Sequence, residues 1–240
     1  MTGRIRFRSG ADFREGAVFA VDKPGGWTSF DVVNKVRISL RPACGKIKVG
    51  HAGTLDPLAT GVMVICTGKE TREIERYMGQ EKEYVARVTF GHTTPSYDLE
   101  SAFDGEYDYS RVDRALLERV ARRFVGEIEQ FPPAFSAVRV NGVRAYEMAR
   151  AGDQVEMKSR RVEVKELEIV EEQMPEVVLR VRCGKGTYIR SLAHDIGREC
   201  DSGSHLSALR RTRVGEFRVE EAFRVEEIVR LLESNRVETT

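Results

Sequence analysis

Asp56 is the residue whose setting most clearly suggests chemistry. It lies in Gly50–Val64, where three glycines, two threonines and one proline surround a single carboxylate. Glycine and proline at this density predict sharp turns, and the apolar run Val62–Cys66 predicts a short buried strand. A polar loop that enters a buried strand presents its side chains at a rim, where functional residues are common. The alternative is an Asp-Pro turn whose carboxylate bonds its own backbone, and spacing favours neither.

The chain reaches Asp56 through a basic segment. No acidic residue occurs between Val32 and Leu55, where five cations accumulate: Lys35, Arg37, Arg41, Lys46 and Lys48. The net charge of +1 argues mildly against a nucleic-acid binder. Phosphate neutralisation needs only one basic face, however. The segment is therefore compatible with nucleic-acid binding and with an ordinary solvated surface.

Five segments together resemble one protein family. Gly50–Gly61 resembles the catalytic motif of the bacterial tRNA pseudouridine-55 synthases, the TruB family, over twelve ungapped residues. Four other segments resemble further motifs of that family: Asp22–Ser29, Pro133–Ala137, Gly184–Leu192 and Leu206–Thr212. The resemblance extends over roughly residues 15–223.

This resemblance implies both a fold and a reaction. The implied fold is the α+β pseudouridine synthase fold, a mixed, largely antiparallel sheet flanked by helices, with an RNA-gripping insertion after Phe131–Arg150. The implied reaction isomerises uridine 55 in the TΨC arm of tRNA, which must be flipped out of its stack to react. It breaks the C1′–N1 bond, turns the uracil and joins C1′ to C5, so no cofactor and no metal are expected.

The resemblance also implies roles for the Asp56 carboxylate and for three residues of the motifs around it. Asp56 matches the catalytic aspartate, and attack on C1′, attack on C6 and removal of a C2′ proton all remain open for it. His51 matches a histidine that occupies space near the displaced nucleotide. Lys23 and Pro24 match a loop that buttresses the catalytic loop.

Four residues outside the central loop match substrate-binding positions of the family. Tyr84 matches a tyrosine that stacks on the target uracil, an interaction of about 1–3 kcal/mol. Tyr188 and Arg190 lie in the second strong motif, where Arg190 would pair with Asp56 and keep it ionised. Leu209 matches part of an apolar wall around the base.

Composition excludes several other classes of protein. The apolar fraction of 41% and the charged fraction of 32% are those of an ordinary globular protein. The longest apolar runs are about five residues, against about 20 for a membrane span, and the amino terminus lacks a signal-peptide core. The four cysteines and four histidines have neither disulfide-framework nor metal-site spacing. We therefore expect a cytoplasmic protein.

Periodicity predicts the elements that position these residues. Thr28 and Ser29 predict the N-cap of a helix that buries Val32, Val33, Val36 and Leu40. Tyr84–Phe90 alternates as a strand, Ser110 and Asp113 predict a capping box, and Gly184–Gly186 precedes a helix. Val214–Val219 predicts a last strand and Val225–Glu233 a last helix. Strands interrupted irregularly by helices predict an α+β protein.

The predicted organisation is one catalytic domain over residues 1–240, with its core at about 15–223. Many family members carry a further RNA-binding PUA domain, and we expect none here. We also expect a monomer with tRNA as its partner and no obligate protein partner. The rival hypotheses are a non-catalytic tRNA-binding or folding module, a guide-dependent relative that modifies ribosomal RNA, and a sugar-phosphate hydrolase that uses Asp56.

Overall fold

The computed structural model describes residues 4–8, 12–140 and 142–234. Its helices are α1 (Ser29–Cys44), α2 (Ile74–Met78), α3 (Arg114–Arg123), α4 (Ala145–Arg150), α5 (Ile189–Glu199) and α6 (Val225–Ser234). Its strands are β1 (Ile5–Phe7), β2 (Ala17–Lys23), β3 (Val49–His51), β4 (Thr60–Thr67), β5 (Lys82–Phe90), β6 (His92–Thr93), β7 (Gly105–Glu106), β8 (Gly126–Gln130), β9 (Arg139–Val140), β10 (Val143–Arg144), β11 (Arg160–Gln173), β12 (Glu176–Cys183), β13 (Ser204–Val214), β14 (Phe217–Arg218) and β15 (Phe223–Arg224). Within those ranges, no helix has the length and apolar character to cross a membrane.

The chain divides into two compact units. The first unit comprises Met1–Glu83 and Arg210–Thr240, and the second comprises Tyr84–Leu209. In each unit, strands pair mainly antiparallel and helices cover the sheet, so the predicted α+β class is confirmed.

The sheet of the first unit is built on β2 and β4. These two strands pair antiparallel, with Val21 opposite Met63. β1 adds to β2 and β3 adds to β4, both antiparallel, while residues 210–211 of β13 run parallel to β4. Residues 62–66 of β4 are completely buried, which confirms the strand predicted after the Asp56 loop.

Helix α1 covers one face of this sheet. Thr28 caps it and forms a capping box with Asp31, which satisfies amide groups that a helix start leaves unpaired. The predicted apolar face is confirmed, because Val32, Val33, Val36 and Leu40 pack in one core with Phe19 of β2 and Ile228 of α6. Each fully buried aliphatic side chain of this kind contributes about 1.5–3 kcal/mol.

The second unit contains the order β5, β12, β11 and β8. β11 and β12 form a long antiparallel hairpin, and β8 pairs antiparallel with β11. The predicted alternation in β5 is confirmed, since Tyr84, Ala86, Val88 and Phe90 are buried. β9 and β10 form a short hairpin that precedes α4, and Asn141 between them lies outside the described residues.

Two predicted element boundaries are wrong. α3 begins at Arg114 and is capped by Asp113, whose carboxylate accepts from the Leu116 amide at 2.8 Å, so Ser110 is not its cap. Val214–Val219 is not one strand, because β13 ends at Val214 and turns at Gly215 (φ 53°) into β14. The sequence of β13 shows no apolar alternation, because several of its buried residues are polar: Ser204, His205 and Arg211.

Candidate active site

The Asp56 loop connects β3 to β4 in the first unit. The Ala52 amide donates to the Val64 carbonyl at 2.9 Å, and the Ala59 amide donates to the Asp56 carbonyl at 3.1 Å. The second bond closes a turn directly after Asp56, whose side chain is half-buried. The turn is therefore made by main-chain groups, and the Asp56 carboxylate is left partly accessible to solvent.

Lys23 holds the loop from the end of β2. Its Nζ donates to the carbonyls of Pro24 at 2.8 Å, Trp27 at 2.7 Å and Pro57 at 3.1 Å. The Gly26 amide donates to the same Pro57 carbonyl at 2.9 Å. Burial lowers the pKa of Lys23 from 10.5 to about 8, an effect that Asp56 opposes and Arg211 reinforces.

Ser29 holds the loop from the first turn of α1. Its Oγ donates to the Leu55 carbonyl at 2.9 Å and accepts from the Leu55 amide at 2.9 Å. Both hydrogen-bonding groups of the residue before Asp56 are therefore satisfied by one buried side chain. Sequence reasoning identified Ser29 only as part of a helix cap.

Arg211 holds the loop from β13. Its Nε donates to the Val62 carbonyl at 2.7 Å, Nη2 to the Gly53 carbonyl at 3.0 Å and Nη1 to the Thr54 carbonyl at 3.4 Å. The side chain is 1% exposed. Gly61, at φ 107°, lies so close that an added Cβ would stand 2.1 Å from the Arg211 carbonyl oxygen.

Arg211 was missed in the sequence, where it belongs to the basic group at 210–213. A buried arginine and a surface arginine look alike in a sequence. The only available signal was its place in the Leu206–Thr212 motif, from which Leu209 was selected.

His51 lies at the end of β3, where the loop begins. Burial, and after it the Arg211 guanidinium, lower the pKa of His51 below its usual value, although a hydrogen bond with the Gly53 backbone opposes this. Its buried Nδ1 has no hydrogen-bond partner among the residues that the structure describes. His51 is therefore neutral at neutral pH.

Tyr188 is positioned in the second unit by Gln130, at the end of β8. The Gln130 amide donates to the Tyr188 carbonyl at 3.0 Å and accepts from the Tyr188 amide at 2.8 Å. The Arg160 guanidinium lies 4.5 Å from the centre of the Tyr188 ring, a cation–π geometry. Gln130, which is 1% exposed, was not recognised in the sequence.

Arg190 lies in the first turn of α5 and is 3% exposed. Its Nη1 donates to the Ser96 carbonyl at 3.1 Å and its Nη2 to the Phe135 carbonyl at 2.9 Å. Its Nε lies 3.7 Å from a carboxylate oxygen of buried Asp98. Asp98 also escaped the sequence reasoning, because it belongs to a strongly acidic loop.

The structure thus distributes the sequence-predicted residues over both units. Lys23, Pro24, His51 and Asp56 belong to the first unit, and the structure brings Lys23 to the loop of Asp56. Tyr84, Tyr188, Arg190 and Leu209 belong to the second. Within the described ranges, no group of three or more His, Cys, Asp or Glu side chains is arranged to hold a metal ion.

Two relatives of similar sequence carry the same name. Residues 41–189 match the sequence model for the TruB family pseudouridylate synthase N-terminal domain, and residues 190–239 match that for the tRNA pseudouridylate synthase B C-terminal domain. The chain is 51% identical over 229 residues to tRNA pseudouridine synthase B of Phocaeicola vulgatus, covering 95% of this chain and 97% of that protein. It is 42% identical over 234 residues to the protein of the same name from Chloroherpeton thalassium, covering 94% and 96%.

Two solved structures with a similar fold come from longer chains. The chain superposes with a TM-score of 0.72 and 31% identity on a chain of a Cbf5–Nop10–Gar1 complex, covering 95% of this chain and 57% of that one. It also superposes on a chain of an H/ACA RNP bound to a substrate RNA containing 2′-deoxyuridine. That superposition has a TM-score of 0.67 and 29% identity, and it covers 93% of this chain and 55% of that one. The present chain therefore spans less than two thirds of these solved chains.

Proposed function

Since this chain belongs to the TruB family of pseudouridylate synthases, we propose that it converts uridine 55 in the TΨC arm of tRNA to pseudouridine. The predicted pseudouridine synthase fold is confirmed by the solved structures. The observation that supports this proposal best is the Asp56 loop, a half-buried carboxylate on a backbone held by three buried side chains.

In this proposal Asp56 is the catalytic carboxylate. Lys23 and Arg211 place positive charge around its loop, and positive charge favours the ionised form of a nearby carboxylate. Because the loop backbone is fixed, the Asp56 carboxylate is already in place before the substrate binds. Little reorganisation of the protein is therefore needed during the reaction.

The reaction conserves every atom of the nucleoside. The C1′–N1 bond breaks, the uracil turns, the C1′–C5 bond forms, and the proton lost from C5 is replaced by one on N1. No electrons pass to an outside acceptor, so we propose that no cofactor takes part. Asp56 can act by attack on C1′, by attack on C6 or as a base towards C2′.

The remaining residues receive substrate-binding roles in the proposal. A neutral His51 occupies space near the displaced nucleotide without adding charge there. Tyr84 stacks on the uracil, Leu209 contributes to the apolar wall, and Tyr188 and Arg190 complete the polar contacts. We further propose a single catalytic domain that works as a monomer in the cytoplasm, with tRNA as its partner.

The decisive experiment incubates the purified protein with an unmodified tRNA transcript and maps pseudouridine at nucleotide resolution. We expect product at position 55 with the wild type and none with Asp56→Ala or the isosteric Asp56→Asn. tRNA binding without product in the wild type would reject the enzyme in favour of a binding module. Product at another uridine would keep the chemistry and reject the substrate assignment, and release of free uracil would indicate a hydrolase.

A further inference from the structure

The outer face of α1 and the turn after it form a cationic surface. Lys35, Arg41, Lys46 and Lys48 are exposed and Arg37 is half-exposed, and the segment 32–55 that carries them has no acidic residue. None of the five forms an ion pair with any residue in the described part of the chain. We call these five residues the α1 cations.

Many other cations of the first unit lie close to carboxylates. Ion pairs with carboxylates are formed by Arg4, Arg6, Arg8, Lys69, Arg210 and Arg213, among others. Ion pairing cancels much of the field of those six. Exposed cations outside these pairs, such as Arg72 and Arg218, have glutamates within two residues of them in the sequence. The α1 cations therefore concentrate positive potential on one surface of a chain whose net charge is only +1.

Exposed apolar side chains occur on α1 and in the Asp56 loop. Large hydrophobic residues that the first unit exposes in the described ranges are Phe30 and Ile38, on the outer face of α1, and Leu58, in the Asp56 loop. The Arg37 guanidinium lies 5.7 Å from the centre of the Phe30 ring. Arginine and aromatic side chains side by side suit both the phosphates and the base or sugar faces of RNA.

Helix α1 is joined to the Asp56 loop at its first turn. Ser29, the first residue of α1, bonds both backbone groups of Leu55. Arg41 follows twelve residues later, about 18 Å along the helix axis.

We infer that the α1 cations bind backbone phosphates of the tRNA, next to the nucleotide that enters the Asp56 loop. This inference rests on the proposed function for the identity of the RNA. Because each contact releases condensed counterions, it predicts a salt dependence that the α1 cations dominate.

The test compares two variants that each lose four positive charges. The first carries Lys35→Gln, Arg41→Gln, Lys46→Gln and Lys48→Gln. The matched control carries Arg6→Gln, Lys69→Gln, Arg114→Gln and Arg180→Gln, four cations that are about half exposed and paired with glutamates. The binding constant for unmodified tRNA transcript is measured for both between 50 and about 200 mM salt, with thermal unfolding as the folding check.

We expect the slope of log K against log salt to fall by about 0.9 for each lost phosphate contact, hence by about 3 to 4 in the first variant. We expect more than a tenfold loss of affinity at low salt, and a turnover rate at saturating tRNA within twofold of the wild type. The control should keep the wild-type slope.

An unchanged slope in the first variant, or an equal fall in the control, would overturn the inference. Failure of the proposed function is a separate result: the wild type would then bind tRNA without forming pseudouridine, while the comparison of slopes would still decide whether the α1 cations bind RNA.

Discussion

Replacing Arg211 with lysine tests whether the Asp56 loop depends on a buried guanidinium. Arg211 donates from three nitrogens to three carbonyls, of which Gly53 and Thr54 lie in the loop and Val62 in β4. A lysine keeps the positive charge but brings one nitrogen instead of a planar fork. Lys23 reaches three carbonyls with one nitrogen, but the carbonyls around Arg211 are spaced to meet three separate nitrogens. We therefore expect a single lysine nitrogen to leave two of them without a donor.

Each buried group left unsatisfied costs about 1–3 kcal/mol. For two such groups, we expect Arg211→Lys to lower the free energy of unfolding by about 2–6 kcal/mol. A displacement of the loop by about 1 Å would lower the rate of the chemical step by about 100-fold. Urea unfolding followed by circular dichroism measures the first quantity, and single-turnover pseudouridine formation with excess enzyme measures the second.

Arg210→Lys is the matched control, one residue earlier in β13. Arg210 is partly exposed and pairs with Asp22 at 2.7 Å, and such pairs contribute about 0–1 kcal/mol. The reasoning would be refuted if Arg211→Lys unfolded and reacted like Arg210→Lys, because the loop would then hold its shape without the guanidinium.

Three further substitutions test other parts of the site. Gly61→Ala should lower the unfolding free energy by roughly 3 kcal/mol or more, since its Cβ would meet the Arg211 carbonyl oxygen at 2.1 Å. Chemical denaturation measures this free energy, and a variant as stable as the wild type would contradict the close packing of Gly61 on Arg211. The pKa of Lys23 is lowered by burial from 10.5 to about 8, so the unfolded chain binds this proton more tightly. The wild type should therefore gain stability relative to Lys23→Met as pH rises from about 8 to 10.5, by up to about 3 kcal/mol, and a flat difference across that range would reject a buried ammonium. Gln130→Leu removes both bonds to the Tyr188 backbone and should lower the free energy of unfolding by about 2 kcal/mol, together with the turnover rate. A variant as stable as the wild type in urea unfolding would contradict the pairing.

Local pattern predicted the frame of the first unit well. The capped helix after β2, its buried face and the fully buried strand after Asp56 all follow from residue types within a few positions of one another. Such features depend on local propensity and periodicity, which a sequence displays directly.

The contacts that hold the Asp56 loop were not predictable in this way. Arg211 lies 158 residues from Gly53, and Gln130 lies 58 residues from Tyr188. Both act on backbone groups, so no partner side chain exists to be noticed in the sequence. Burial is what separates Arg211 and Asp98 from charged surface residues, and burial is a property of the folded chain.

The three side chains that hold the Asp56 loop all bind its main chain. Lys23, Ser29 and Arg211 recognise the carbonyls or amides of Pro57, Leu55, Gly53 and Thr54, groups that are the same for almost any residue type. The exposed side chains of Thr54 and Leu58 take no part in these hydrogen bonds. Both positions can therefore be randomised in a library while the bonds that position Asp56 are retained. An engineer who wants the same chemistry on a different RNA should begin at those two positions.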